Sequence, residues 1–441
     1  MKKNRPKISI ATLGCKVNLC DSAAIYEVLK NNGCEIVPFS NRADIYIINT
    51  CVVTGKTESQ SRQLIRRAIR THPGCRVIVT GCYAQKSPGR LAGLSDRVHV
   101  LGNPEKKDVP LYVSKLLNGD TVPHTVSDIF SENKFTSPSC SHFFNRTRAF
   151  LKIQDGCNAG CTYCIVPSVR GPSRSLAAEE VKKRLHLLVQ AGYREVVLTG
   201  IHLGAYGLDL IPASNIAELL QSLEEDAHLP RVRLRLSSIE PKEFSDELIR
   251  IISQSKLVCP HFHIPLQSGD ETILKRMRRP YTPSFFKRLL QRLAAEIPGL
   301  NIGIDVIAGF PGETDEQFQT TVSFIQNLPA GYLHVFPYSR REGTAAADFS
   351  GQVPEPVKKQ RVQILRRLSL EKKSRFYSSC TNKDLSVLVE AKRDKETGFL
   401  KGFSRNYIPV LLEGSDDLIG KEKLVRVTEV KKDKVRGIVK G

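Results

Sequence analysis

The chain of 441 residues has no apolar run of about eighteen residues, the length a helix needs to cross a bilayer, so a membrane span is excluded. Its opening stretch, MKKNRPKISI, is basic and lacks an apolar signal segment. The twelve cysteines are therefore expected to be reduced or metal-bound in a cytoplasmic setting, rather than paired as a disulfide scaffold. Acidic residues are in deficit as well: 45 Asp and Glu face 66 Lys and Arg, a formal net charge of +21. Such an excess points to a polyanionic partner before a small metabolite, with RNA first. It concentrates in two stretches that read as basic helices. One holds Arg62, Arg66, Arg67, Arg70 and Arg76 with no acid; the other holds Lys358, Lys359, Arg361, Arg366, Arg367, Lys372, Lys373 and Arg375 against Glu371 alone.

The cysteine cluster GCNAGCTYC also lacks something, a fourth member. Cys157, Cys161 and Cys164 are spaced C-x3-C-x2-C. A structural zinc site closes with four protein ligands, whereas three thiolates at this spacing bind three irons of a cubane and leave the fourth iron open to chemistry. Gly156 and Gly160 let the backbone fold tightly around a bulky inorganic body. The competing reading is a zinc or disulfide staple completed by a remote ligand.

Residues 1–118 alternate short β-rich runs with helical patterns, which predicts a parallel α/β sheet. Cys15, Cys51 and Cys82 each fall just beyond the carboxyl end of a successive strand. Loops leaving those ends converge on one crevice, so the three thiols are expected to meet there as a second incomplete triad. Cys20, Cys34, Cys75, Cys140, Cys259 and Cys380 lack such placement and read as packed or free thiols, Cys20 least securely because it lies one turn from Cys15. Residues 119–142 are polar and read as a linker.

Over 143–375, six β-rich runs (AFLKI, EVVLT, VRLRL, HFHIP, IGIDVI and LHVFP) alternate with helical segments, the pattern of a partial (β/α)6, TIM-like barrel. The triple cysteine follows the first of these strands, on the face where such barrels keep their active sites. GFPGET lacks the Lys-Ser/Thr ending of a phosphate loop, and Thr314 with Gln317 reads instead as a helix-capping box. His202, His263 and His334 read as hydrogen-bonded structural histidines. Residues 376–441 carry short strands without a helix, a small β-barrel in which Phe399, Phe403 and Tyr407 accompany Lys401 and Arg405. That mixture suits stacking on bases and contact with an RNA backbone, or simply a filled barrel core.

With both triads in place the whole chain resembles the methylthiotransferases of the radical S-adenosylmethionine (SAM) superfamily. The resemblance rests on LGCKVN, NTCVVT, TGCYAQ, IQDGCNAGCTYCIVPSVRG, LTGIHLGAYG, RLSSIEP, HIPLQSGD, GFPGET and PYSRREGTAA. Within that group GCKVN and LTGIHLGAYG look most like the branch acting on N6-threonylcarbamoyladenosine at position 37 of tRNA. Sister branches act on N6-isopentenyladenosine in tRNA or on an aspartate of a ribosomal protein. Outside the enzymes, a metal-stabilised RNA-binding protein is the remaining alternative.

The resemblance implies two 4Fe-4S clusters, a radical SAM cluster on Cys157, Cys161 and Cys164 and an auxiliary one on Cys15, Cys51 and Cys82. It further implies a closing RNA-binding TRAM domain and two SAM molecules per turnover, one a radical source and one a methyl donor. The partners implied are the tRNA anticodon stem-loop and a reducing donor such as flavodoxin or ferredoxin. Gly200 stands where such enzymes show a Gly-Gly-Glu contact to the cofactor, without the Glu; Ser237 and Ser238 are further candidate SAM contacts. The aromatic C2–H of adenine is unactivated, so no side-chain acid or base exchanges it for sulfur at neutral pH, and the cofactor must supply the oxidant.

Overall fold

The computed structural model describes residues 5–143, 146–229, 232–431 and 433–440; the first four residues of the basic opening stretch lie outside them. Five parallel strands form the first sheet: β1 (Lys7–Thr12), β2 (Glu35–Ile36), β3 (Ile45–Thr50), β4 (Arg76–Gly81) and β5 (Val98–Val100), in the order β2-β1-β3-β4-β5. All six residues of β3 are buried, as expected of a central strand covered on both faces. Helices Lys16–Asn31 and Gly55–Thr71 follow β1 and β3. The second opens with a capping box in which the Thr54 and Thr57 side chains satisfy each other's backbone N–H groups.

The segment 119–142 does not hang free between units. Thr125 bridges to Leu101 beside β5, and Val122 and Ile129 are buried.

Next come β6 (Ala149–Lys152), the short antiparallel pair β7 (Gln154–Asp155) and β8 (Arg174–Ser175), β9 (Glu195–Thr199), β10 (Arg233–Leu236), β11 (His261–Gln267), β12 (Asn301–Ala308) and β13 (Tyr332–Pro337). Strands β6, β9 and β10 make one parallel sheet, and β11, β12 and β13 another. The two join where Leu234 bridges to Val258, with Leu234 N–H donating to Leu257 O at 2.8 Å and Cys259 N–H donating to Leu234 O at 2.7 Å. Six parallel strands in chain order thus form an open arc, the expected partial barrel, around one continuous apolar core. The helix after GFPGET opens with the Thr314–Gln317 capping box.

The closing unit is a closed barrel of β14 (Asp384–Arg393), β15 (Leu400–Ser404), β16 (Pro409–Leu412), β17 (Glu422–Lys431) and β18 (Lys434–Val439), in the order β14-β15-β16-β18-β17. Among the described residues no helix is long and apolar enough to cross a membrane.

The helix Glu355–Ser378 forms where a basic helix was expected, but part of its basic face turns inward. Lys358, Arg361, Leu365, Leu368 and Lys372 are spaced three and four apart, share one stripe and are buried. Arg361 pairs with Glu313 at 2.7 Å and with Asp315 at 2.8 Å, and Lys372 donates to Leu328 O at 2.8 Å. The charged heads satisfy carboxylates and carbonyls at the ends of neighbouring elements, while Lys359, Arg366, Arg367 and Arg375 remain exposed.

Candidate active site between two cysteine triads

Cys15, Cys51 and Cys82 leave the carboxyl ends of β1, β3 and β4 and come within electrostatic reach of one another. Glycines make this approach possible. Gly14 has φ +94°, and a Cβ there would lie 2.6 Å from Cys51 Sγ. Gly81 has φ +98°, and a Cβ there would lie 2.6 Å from Asn49 Oδ1. Asn18 holds the crossing loops together, donating to Leu13 O at 2.8 Å and Thr50 O at 3.0 Å. Burial pushes the Cys51 thiol up to about 11, so it is neutral near pH 7 until a metal displaces its proton.

Cys157, Cys161 and Cys164 lie on the loop that leaves β7. Gly156, at φ +76°, runs so close to Pro172 O that no side chain fits. Cys157 N–H donates to Gly171 O at 3.0 Å. Each triad is lined by nitrogen donors. Arg170 Nε lies 3.3 Å from Cys82 Sγ, Arg279 Nη1 3.4 Å from Cys161 Sγ, and Ala159 N–H 3.4 Å from Cys157 Sγ. Donors of this kind suit thiolates that carry the negative charge of a bound cluster, as does a cradle open only to glycine. Burial pushes the Cys164 thiol up to about 12. Among the described residues no three His, Cys, Asp or Glu side chains close on a single ion, and all twelve cysteines are free thiols.

The other candidate contacts converge on the barrel mouth. Gly200 N–H donates to Ser237 Oγ at 3.3 Å, and Gln154 Oε1 accepts from His202 N–H at 2.8 Å. Ser238 Oγ is 2.9 Å from His263 Nδ1, and His263 Nε2 is 2.7 Å from Asp305, with His334 packed edge-on to His263. His202 and His263 are hydrogen-bonded, as expected, whereas His334 is held by ring contacts with His263 and Tyr332. His202 is more than that, since its Nδ1 reaches Cys157 Sγ at 3.4 Å and its Nε2 pairs with Glu243.

A cavity of about 230 Å³ is lined by Cys164 and by the residues that follow Cys51. Val53 and Thr54, just after Cys51, form one wall; Tyr163 and Cys164 form another; Gln267, Asp305 and Phe336 complete it. Gln267 sits at a register shift between β11 and β12 with φ +69°, a strained conformation for a residue with a side chain. Arg341, from the loop after β13, holds the Cys51 loop over the cavity by donating to Val52 O at 3.3 Å and pairing with Glu58 at 2.8 Å.

Sequence reasoning did not single out Arg170, Asp155, Asp21 or Arg279. Arg170 and Asp155 stand inside IQDGCNAGCTYCIVPSVRG, but nothing in one-dimensional spacing shows that they meet Asp21 and Cys82.

The aromatics of the closing barrel fall differently from the RNA-facing expectation. Phe403 stacks on Tyr407 with centroids 4.9 Å apart, beneath the guanidiniums of Arg148 and Arg235. Arg405 pairs with Glu422 at 3.1 Å. Tyr407, at φ +65°, lies with its ring centroid 4.7 Å from that of His261, the first residue of β11, so Phe403 and Tyr407 dock the barrel against the amino ends of the arc's strands.

Residues 151–325 match the radical SAM superfamily, and residues 7–102 match the uncharacterized protein family UPF0004. A threonylcarbamoyladenosine tRNA methylthiotransferase, MtaB of Bacillus subtilis (strain 168), is 42% identical over 95% of this chain and 93% of its own length. The chain belongs to the radical SAM methylthiotransferases. Membership brings 4Fe-4S clusters and SAM as cofactors and makes this protein an enzyme. A second relative, a tRNA-2-methylthio-N(6)-dimethylallyladenosine synthase of Fusobacterium nucleatum, is 33% identical over 96% of this chain and 98% of its own length. Among solved structures, the radical SAM methyltransferase TsrM from Kitasatospora setae aligns with a TM-score of 0.56 at 15% identity, covering 78% of this chain and 77% of that one, which shows a shared fold. The closing five-stranded barrel is TRAM-like.

Proposed function

We propose that this methylthiotransferase converts N6-threonylcarbamoyladenosine at position 37 of tRNA to its 2-methylthio derivative. The observation that carries the reading is a cavity walled by Cys164 on one side and by the residues just after Cys51 on another. The relative that is 42% identical across nearly the full length, named for that nucleoside, supports the substrate.

In this reading Cys157, Cys161 and Cys164 hold the radical SAM cluster, and Cys15, Cys51 and Cys82 hold the auxiliary cluster. Bound there, the clusters and two SAM molecules supply the electron, the radical oxidant, the sulfur attachment point and the methyl group. Gly200, Ser237 and Ser238 orient SAM at the barrel mouth. The Arg341–Glu58 pair keeps the Cys51 loop closed over the cavity and shields it from water. Val53 and Phe336, 50% and 42% exposed at the rim, offer apolar surface to an unstacked loop base.

Residues 1–118 are then the auxiliary-cluster domain, 119–142 its connection, 143–375 the radical core and 376–441 the RNA-binding TRAM domain. Exposed Arg66, Arg67, Arg70, Arg366 and Arg367 supply phosphate contacts to the anticodon stem-loop. The enzyme works in the cytoplasm with a reducing donor of the flavodoxin or ferredoxin kind.

Nucleoside mass spectrometry of tRNA from cells lacking the protein tests this. The expected result is loss of 2-methylthio-N6-threonylcarbamoyladenosine with its unthiolated precursor retained. Loss of the methylthio-isopentenyl nucleoside instead would assign the sister substrate, and unchanged tRNA would refute the reading.

A further inference from the structure

We propose that Arg170 is a positioning residue that sets the reduction potential of the auxiliary cluster and ties that cluster to the loop carrying the radical triad. The proposal rests on the reading that Cys15, Cys51 and Cys82 bind a cluster. Arg170 ends the short helix Val166–Arg170 and is 2% exposed. Its Nε lies 3.3 Å from Cys82 Sγ; its Nη1 lies 3.0 Å from Asp155 Oδ2 and 3.3 Å from Asp21 Oδ2; its Nη2 donates to Asn18 Oδ1. Asp155 in turn accepts from Gly156 N–H at 2.9 Å, at the root of the Cys157 loop. One planar guanidinium therefore spans from a sulfur of the first triad to the strand end from which the second triad hangs.

The charges around it do not balance. Lys106 pairs with Asp21 at 2.7 Å, and Lys152 with Asp21 at 2.6 Å and Asp155 at 3.2 Å, so three buried cations share two buried carboxylates. Buried charge requires compensation, and the surplus cation lies beside Cys82. An anionic, thiolate-bound cluster supplies that compensation. A buried positive charge donating to a ligating sulfur stabilises the cluster most when it has gained an electron, and so raises its potential.

The test uses the full-length chain with Cys157, Cys161 and Cys164 changed to Ala, reconstituted anaerobically so that only the auxiliary site binds iron. About four irons per chain are expected; none would overturn the cluster reading and the proposal with it. Dithionite then gives one electron to the cluster in a mediated titration followed by electron paramagnetic resonance. Arg170→Gln is expected to lower the reduced-to-oxidised ratio at a fixed applied potential about tenfold, about 59 mV for a one-electron couple. Arg170→Lys should fall between it and the parent. Asp21→Asn, which removes a neighbouring negative charge and leaves the donor, should move the ratio the opposite way, a sign that loss of packing would not produce. If Arg170→Gln fails to retain iron, Arg170→Lys decides. An unshifted ratio in an Arg170 variant that keeps its cluster overturns the proposal.

Discussion

At the scale of single residues, the site depends on positions where a side chain is absent as much as on the cysteines. Gly14 combines a left-handed backbone with a Cβ position 2.6 Å from Cys51 Sγ, so any side chain must push apart the two loops that present Cys15 and Cys51. Gly14→Ala is expected to cut iron in the reconstituted enzyme from about eight to about four per chain while reductive cleavage of SAM persists. Iron analysis alongside a cleavage assay checks this, and undiminished iron would remove Gly14 from the cradle. The cysteines themselves were legible in the sequence because chemistry restricts them to few roles and their spacing is distinctive. Arg170 was not, because an arginine has many ordinary uses and its partners lie on three separate segments.

At the scale of elements, the closing barrel is held by a buried charge cluster at the amino ends of β9 and β10. Glu195 on β9 is fully buried and accepts from Arg233 Nε at 2.6 Å and Arg235 Nε at 2.8 Å, both on β10. The same arginines donate onward to Phe403 O at 2.8 Å and Arg405 O at 2.9 Å, across to the barrel. Burial opposes ionisation of Glu195, but the Arg235 and Arg233 guanidiniums outweigh it and hold its carboxyl down to about 2. A carboxyl depressed in the folded state contributes stability that is complete above its ordinary value of 4.5 and is lost as pH falls towards about 2. Glu195→Gln leaves the buried Arg235 guanidinium without its carboxylate, while Arg233 keeps Glu422 at 2.9 Å, and is expected to cost about 3–5 kcal/mol, read by denaturant unfolding at pH 7. The acid-induced loss of stability between those pH values should shrink in the same variant. Alternation of strand and helix patterns made these elements legible, whereas the inward role of the basic helix Glu355–Ser378 was hidden because Lys and Arg normally mark a solvated face.

At the scale of the whole molecule, a charge of +21 remains after the buried pairs are satisfied, and part of it lies on exposed helix faces. Reversing Arg66, Arg67 and Arg70 to Glu should weaken tRNA binding at all sequences alike and flatten its dependence on salt, as filter binding over a range of KCl would show. Equal salt slopes for parent and variant would place the RNA on another face. The sequence by itself determined the class of chemistry and which cysteines were expected to gather in two triads, because spacing, strand periodicity and charge excess are properties of the chain in one dimension. Only the tertiary structure decided that residues beside Cys51 and Cys164 wall one cavity, that buried arginines stand beside cysteine sulfurs and at the barrel contact, and which cations face outward. Those facts depend on residues far apart in the chain meeting in a low-dielectric interior, where every buried charge needs a partner that sequence position does not name.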